Sequence, residues 1–351
     1  MNNLDIKISN AMHRIEDLYY STNGKCFVAF SGGKDSTVIL ALIKMCEEIY
    51  TIPEDGIKAV FYDTGIELGA TRDFVRWCKD SEWYSNIEII RPKVTFKWIL
   101  DNYGKPMKSK IKSDFISRYQ KKNNMNAFKY LIYEQSSTGK KYIKTKIADK
   151  DLHILSKDFD ISVSNNCCEF LKKRPSMDFA KENDMKGQIT GIRTSEGGAR
   201  ELATIKRVQA GGKLCTVTRG DTIIKMPIID WTDEDVDQFI KQYKVPLSKA
   251  YTEYGMRRTG CMGCPFAREL KDNLKVLWDY EPNRYKASMV FLKDVYIAQN
   301  VELPFDEQYE KERKEKWRKD YKQMRNEMLI KYRPKSKLIC EYEQLKIEDL
   351  L

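Results

Sequence analysis

The feature that most constrains the fold is a short apolar run, Phe27-Val28-Ala29-Phe30, followed directly by Ser31-Gly32-Gly33-Lys34-Asp35-Ser36-Thr37. The run has the length and composition of a buried strand, and an apolar run of helix-forming length begins at Val38. In a strand, glycine turn and helix, backbone N–H groups at the helix N-terminus point at an anion. We therefore predict a phosphate-binding turn. The alternative is an ordinary turn between a strand and a helix, with Ser36 as a cap.

The residue types within this turn suit an anion. Gly32 and Gly33 let the backbone approach an oxyanion without a Cβ in the way. Lys34 adds a positive charge, and the hydroxyl donors are Ser31, Ser36 and Thr37.

The same stretch resembles the SGGxDS signature of the PP-loop family, the N-type ATP pyrophosphatases, with every position filled. The GxxxxGK[ST] spacing of a Walker loop is absent. The resemblance implies that ATP is bound with Mg²⁺ and cleaved between its α and β phosphates, so that AMP is transferred and pyrophosphate leaves. It places Asp35 at the metal and Lys34 with the loop amides at the transition state.

Further strands are predicted at 57–62 and 86–91, each followed by a helix. This alternation predicts an α/β protein with a parallel sheet. The resemblance makes it a Rossmann-like PP-loop fold (adenine nucleotide alpha hydrolase), with helices on both faces of the sheet and a helical C-terminal region. Asp63-Thr64-Gly65 follows the second strand, where ligands bind in such sheets, and resembles the family's second nucleotide motif. The alternative is a solvent-facing turn.

The segment 104–150 carries thirteen Lys and Arg residues against three Asp and Glu, with aromatic residues between them. Lysines for phosphates and aromatic rings for bases suit a nucleic-acid surface. A basic lid over the nucleotide and a plain helical insertion with a solvated face are the alternatives. The net charge of +11 also favours a polyanionic partner, although a lysine-rich solvated surface explains it equally well.

Cysteines form the second motif, with Cys167-Cys168 followed by Cys261-Met262-Gly263-Cys264. Four thiolates without histidine suit an iron–sulfur cluster or a structural zinc. The adjacent pair is awkward for a zinc ribbon and favours [4Fe–4S] over zinc. The alternative is a set of scattered buried thiols. The pattern resembles the cluster motif of the assimilatory adenylylsulfate reductases, which belong to the PAPS reductase superfamily.

Other segments resemble that superfamily in order, over residues 20 to 270. Gly191-Ile192-Arg193, with Glu196 and Arg200, resembles its GxR…E…R substrate segment and implies that Arg193 and Arg200 hold the acceptor. The stretch 227–236 resembles a family segment that opens a helix, which predicts Thr232 as its N-cap.

Two differences from the sulfonucleotide reductases indicate which kind of superfamily member to expect. Sulfonucleotide reductases carry a C-terminal ECGxH-like cysteine segment and a degraded loop, whereas here Cys340 lacks that context and the loop is intact. Both facts favour ATP cleavage over sulfonucleotide reduction. An intact loop beside a cysteine cluster motif resembles the sulfur-transfer ATP pyrophosphatases, including the Dnd-type enzymes, although the cysteine spacing of those enzymes differs. The resemblance implies that an acceptor is adenylated for sulfur transfer. Nucleic acid is then a candidate acceptor and a sulfur-donor protein a candidate partner. The alternatives are a sulfonucleotide reductase with Cys340 as nucleophile and a non-catalytic nucleotide-binding protein.

We predict four segments: a nucleotide-binding half at 1–103, a basic insertion or lid at 104–165, the rest of the PP-loop domain at 166–270, and a helical region at 271–351. No secretion signal and no apolar run of membrane-spanning length is evident, so we expect a cytoplasmic protein with no membrane partner.

Overall fold

The structure is a computed structural model. It describes residues 3–136, 138–139, 141, 144–196 and 198–333, except for the side chains of 196 and 198–203. The chain forms two compact units, each made of two stretches: Met1–Phe96 with Glu169–Cys261, and Lys97–Cys168 with Met262–Leu351. Two of the four predicted segments, 104–165 and 271–351, therefore belong to the same unit, the second.

The first unit contains a six-stranded sheet in the order β3-β2-β1-β4-β6-β5. The strands are β1 (Cys26–Phe30), β2 (Lys58–Tyr62), β3 (Ile87–Ile90), β4 (Gly187–Ile189), β5 (Thr216–Arg219) and β6 (Thr222–Lys225). All neighbouring strands are parallel except β5, which pairs antiparallel with β6. The predicted α/β class with a mainly parallel, Rossmann-like sheet is confirmed.

The apolar run Phe27-Val28-Ala29-Phe30 is covered on both faces of this sheet. Val28 and Phe30 belong to the larger core, whereas Phe27 belongs to a smaller one and packs edge-on against Phe179, with ring centroids 4.9 Å apart. A central strand covered on both sides needs no polar alternation, which is why β1 reads as a continuous apolar run.

The helices are α1 (Asn3–Ser21), α2 (Lys34–Glu48), α3 (Gly69–Asp80), α4 (Phe96–Tyr103), α5 (Lys110–Lys122), α6 (Met125–Tyr133), α7 (Arg174–Glu182), α8 (Gly198–Gln209), α9 (Asp233–Gln242), α10 (Lys249–Thr252), α11 (Leu270–Tyr280), α12 (Pro282–Ala298), α13 (Glu307–Lys316) and α14 (Lys322–Tyr332). Short 3₁₀ helices lie at Asp149–Leu155 and Thr194–Glu196, and π-helical turns at Glu169–Lys173 and Trp317–Tyr321. In the described part of the chain no helix combines the length and apolar character needed to cross a membrane.

Thr232 is the N-cap of α9, as predicted. Its hydroxyl accepts a hydrogen bond from the Asp235 N–H at 3.1 Å, and the Asp235 carboxylate accepts one from the Thr232 N–H at 2.7 Å. This reciprocal pair is a capping box, which satisfies two N–H groups that the helix leaves open.

The C-terminal helical region is interrupted at two points. The first break lies where α11 ends at Tyr280 and Pro282 starts α12. Proline lacks an N–H and suits the first turn of a helix rather than its interior. The second break is the π-helical turn Trp317–Tyr321, which separates α13 from α14.

Candidate nucleotide-binding site

The glycine loop (Ser31–Thr37) joins β1 to α2. Gly32 has φ +68°, and a Cβ there would lie 2.7 Å from Thr71 Cγ2, so the position requires glycine. Gly33 is the N-cap of α2 and has no side chain to cap the helix, although the Tyr251 hydroxyl accepts from the Lys34 N–H of the first turn. The helix N-terminus is therefore not closed by its own sequence, as an anion-binding turn requires.

The hydroxyl groups of the loop brace it from within. Ser36 Oγ donates to the Gly33 carbonyl at 2.8 Å and Thr37 Oγ1 donates to it at 3.1 Å. Ser31 Oγ lies 3.0 Å from Ser36 Oγ. Ser36 and Thr37 are buried, so the structure gives them a part in shaping the turn; their predicted contact with phosphate stays a prediction.

Lys34 is held by residues from distant parts of the first unit. Its Nζ lies 2.9 Å from Asp237 Oδ1, and its backbone N–H donates to the Tyr251 hydroxyl at 3.0 Å. That hydroxyl also lies 3.1 Å from Thr259 Oγ1. Sequence reasoning missed Asp237, Tyr251 and Thr259. The signal available for the last two was the stretch 254–258 between them, which resembles the family segment that leads into the last two cysteines.

Arg193 is fully buried and bridges two carboxylates. Its Nε donates to Asp35 Oδ1 at 2.9 Å and its Nη2 donates to Asp233 Oδ1 at 2.7 Å. The hydrogen bond from Arg193 lowers the pKa of the Asp233 carboxyl. Arg193 thus fixes Asp35 at the start of α2. Its predicted contact with an acceptor stays a prediction, as do the roles of Glu196 and Arg200, whose side chains lie outside the described ones.

Gly191 brings this arginine segment against the glycine loop. A Cβ on Gly191 would lie 2.8 Å from the carbonyl carbon and oxygen of Asp35 and 3.0 Å from the Ser36 nitrogen. Because these are backbone atoms, a side chain at this position would displace the loop. The first residue of the Gly191-Ile192-Arg193 motif is therefore required by close backbone approach.

The turn after β2 is ordered by its own polar groups. Asp63 Oδ2 accepts from Arg72 Nη2 at 2.7 Å, and Asp63 Oδ1 accepts from the Gly65 N–H at 3.2 Å. Thr64 donates to the buried Glu67 carboxylate through its N–H at 3.1 Å and its hydroxyl at 2.6 Å. The Glu67 backbone in turn forms an antiparallel bridge with Cys261.

A cavity of about 250 Å³ opens at the carboxyl ends of β1 and β2, with Ser31 of the glycine loop in its wall. The buried Thr71 hydroxyl in its lining has no hydrogen-bond partner in the described structure, and the buried hydroxyls of Tyr62 and Ser176 have none beyond each other. Burial raises the pKa of Tyr62 to about 12. Buried polar groups are normally satisfied, so this trio indicates a polar ligand. Sequence reasoning did not single out these residues.

A known family model matches the part of the chain that contains this site. The family model described as the phosphoadenosine phosphosulfate (PAPS) reductase domain matches residues 25–130 and, in an overlapping second match, residues 113–267. The chain belongs to this family. The match covers the glycine loop, the turn after β2, Arg193 and both cysteine motifs, so the predicted resemblance to the PAPS reductase superfamily is confirmed.

Individual relatives of this PAPS reductase family member are distant. An uncharacterized protein of Methanocaldococcus jannaschii is 27% identical over 269 residues, which is 76% of this chain but only 41% of that protein. Two solved structures show weaker likeness: a PAPS reductase from Candida auris in a phosphate complex (13% identity, 74% of this chain and 96% of that one, TM-score 0.40), and the U34-tRNA thiolase NcsA from Methanococcus maripaludis with its [4Fe-4S] cluster (12%, 85% and 81%, TM-score 0.38).

The four predicted cysteine ligands are all described in this PAPS reductase family member. Cys261 ends the first unit, whereas Cys167, Cys168 and Cys264 belong to the second. Across the described residues, no group of three or more His, Cys, Asp or Glu is arranged to hold a metal ion. The ligation of a cluster by these four cysteines therefore stays a prediction.

Proposed function

We propose that this protein is an ATP pyrophosphatase that adenylates an acceptor and so prepares it for sulfur transfer. The observation that carries the proposal is the glycine loop, which begins α2 with a glycine N-cap and borders a cavity lined by three buried hydroxyls. The loop supplies donors for phosphate oxygens. The cavity supplies a buried, polar place for the nucleoside.

The residues of the loop then take distinct roles toward the substrate MgATP. Mg²⁺ is usually bound through one or two carboxylates together with substrate phosphates. Asp35, oriented by Arg193, is the carboxylate in the first turn of α2. Lys34 and the loop amides stabilise the negative charge that develops on the leaving group, mainly by position and electrostatics.

The reaction balances as a transfer of AMP. An acceptor oxygen attacks the α-phosphorus, the bond from that phosphorus to the bridging oxygen breaks, and pyrophosphate leaves with the electron pair. The acceptor's proton passes to solvent. The adenylated oxygen is then a good leaving group, and a sulfur nucleophile from a donor protein displaces AMP. Nucleic acid is the acceptor class that the basic segment 104–150 favours.

The test is the product pattern from MgATP, with and without nucleic acid. We expect AMP and pyrophosphate, a rate lower by about 10²–10³ in Lys34→Ala, and no turnover in Asp35→Ala. Lys44→Ala removes a positive charge from the same helix away from the loop and should leave the rate unchanged. Release of ADP and phosphate would contradict the proposal.

The family match gives specific support to a second candidate, a sulfonucleotide reductase. Such an enzyme would use a thiol to attack the sulfonucleotide, and the candidate thiol, Cys340, lies outside the described residues. We expect no sulfite release from adenylylsulfate with thioredoxin, and full pyrophosphatase activity in Cys340→Ser. Strong sulfite production that this substitution abolishes would reverse the ranking.

A further inference from the structure

The second unit contains a cavity of about 420 Å³, separate from the residues of the glycine loop. One wall is the 3₁₀ helix Asp149–Leu155, and another is formed by the π-helical turn Trp317–Tyr321 with the start of α14. Gln299 and Asn300, just after α12, complete the lining. The cavity has the size of a site for a nucleotide-sized group.

Its lining is strongly basic. Lys150, Arg318, Lys322 and Arg325 line it, and Asp151 is the only acidic residue among the described lining residues. Asp151 is already neutralised from outside the cavity, because its Oδ1 lies 2.6 Å from Lys108 Nζ. We call this site the basic cavity.

The other carboxylates near these walls are also paired elsewhere. Asp149 bonds Arg333 Nε at 2.7 Å, and Asp320 lies 2.8 Å from Lys316 Nζ. Consequently, none of the four cations of the basic cavity forms an ion pair with a described residue. Arg325 adds a buried Nε that has no hydrogen-bond partner in the described part of the chain.

The walls are locked to one another within the second unit. His153 packs against Trp317 and Tyr321, with ring centroids 4.9 and 5.0 Å apart, and its Nε2 donates to the Ala298 carbonyl at 2.8 Å. Arg333 donates to the Ile147 carbonyl at 2.9 Å. The cations are therefore held on a preformed frame, which lowers the cost of binding an anion.

The charge of the whole unit has the same sign. The second unit carries 34 Lys and Arg against 24 Asp and Glu, whereas the first carries 28 against 27. Ten of the eleven net positive charges thus belong to the unit that contains the basic cavity. Such an excess raises the local concentration of a polyanion.

We propose that the basic cavity binds the phosphodiester backbone of a nucleic acid. Four uncompensated cations on two facing elements suit consecutive phosphates better than one small anion. Three of them, Lys150, Arg318 and Lys322, are solvent-exposed at the cavity. The proposal does not depend on ATP cleavage, because it uses no residue of the glycine loop.

The experiment compares two triple variants that remove the same charge. The cavity triple removes three cations of the basic cavity and combines Arg318→Ala, Lys322→Ala and Arg325→Ala. The control triple removes three exposed cations elsewhere in the second unit and combines Lys271→Ala, Lys286→Ala and Lys311→Ala. Binding of fluorescein-labelled single-stranded RNA and DNA, about 20 nucleotides long, is measured by anisotropy between about 50 and 300 mM KCl. Lys150→Ala tests the opposite wall alone.

We expect the cavity triple to weaken binding on the order of tenfold or more at about 100 mM salt, and to reduce the slope of log K against log salt by about 2. The control triple should change both much less, and Lys150→Ala should reduce the slope by about 0.7. An unchanged circular dichroism spectrum and an unchanged midpoint of urea unfolding show that the cavity triple is folded.

Three results would overturn the proposal. If both triple variants weakened oligonucleotide binding equally, binding would depend on the overall charge and not on the basic cavity. If the wild type bound neither oligonucleotide, nucleic acid would be excluded as the ligand of the basic cavity. Release of bound oligonucleotide by about 1 mM inorganic phosphate at constant ionic strength would mark a site for a free small anion.

Discussion

At the scale of single residues, the glycine loop depends on a neighbour that has no side chain. Gly191→Ala places a Cβ 2.8 Å from the Asp35 carbonyl, so the loop or the arginine segment must shift. A displacement near 1 Å costs about 10² in rate, and we expect a loss of that order in kcat/KM for MgATP. Gly211→Ala is the control, because a Cβ there meets no heavy atom within 4 Å and Gly211 lies outside the glycine loop and the cavity lining. Equal activity of both variants would contradict this account.

A second residue-scale prediction concerns pH and His153. Burial lowers the pKa of His153 from 6.5 to about 4. Between these values the unfolded state binds the proton and the folded state does not, so the free energy of unfolding falls as pH decreases from 6.5 toward 4. The stabilisation is fully present above pH 6.5, and its loss is on the order of 3 kcal/mol.

Urea unfolding at about pH 5 and pH 7.5 measures this effect. His153→Gln keeps a donor for the Ala298 carbonyl but cannot titrate, so the difference between the two pH values should shrink relative to the wild type. An unchanged difference would show that other groups control the acid sensitivity. The far more exposed His13 provides the control, since His13→Gln should leave the difference as it is.

Some of these residue roles were visible in the sequence and others were not. The glycines of the loop and Thr232 act locally, through turn and cap geometry within a few residues, so their pattern predicts them. The pairing of Lys34 with Asp237 and Tyr251 spans over 200 residues, and only the folded sheet brings these elements together. The orientation of Arg193 toward Asp35 has the same origin.

At the scale of elements, α9 offers a clean test of a local signal. Thr232→Ala removes the acceptor for the Asp235 N–H, and we expect a loss of about 1 kcal/mol in the free energy of unfolding. Thr232→Ser retains the hydroxyl and should stay close to the wild type. Urea denaturation measures both variants; equal loss in the two would show that the methyl group, not the cap, is responsible.

The two helix breaks of the second unit differ in whether the sequence signals them. Pro282 is a sequence signal for the start of α12, because proline suits the first turn of a helix. The π-helical turn Trp317–Tyr321 has no comparable signal. It places Trp317 and Tyr321 against His153, a contact that depends on a segment more than 150 residues earlier.

At the scale of the whole molecule, the predicted four-cysteine site can be tested by chemical analysis of the purified protein. The sequence pattern predicts iron and acid-labile sulfide in protein purified without oxygen, and their loss in Cys168→Ser. Cys215→Ser is the control, because Cys215 lies outside both cysteine motifs. Iron, sulfide and zinc analysis of the three proteins checks this. Stoichiometric zinc without iron would retain the four-cysteine site and exclude the cluster.

The two units are interleaved along the chain, and this has a consequence for synthesis on the ribosome. Strand β1 ends at Phe30 but needs β4, which begins at Gly187, to cover its second edge. The first unit is complete only after Cys261 has been made, and the second only after the C-terminal helices have followed. Such distant pairings close slowly. During most of translation the apolar β1 therefore lacks its final neighbour, and the nascent chain needs protection until its later half arrives.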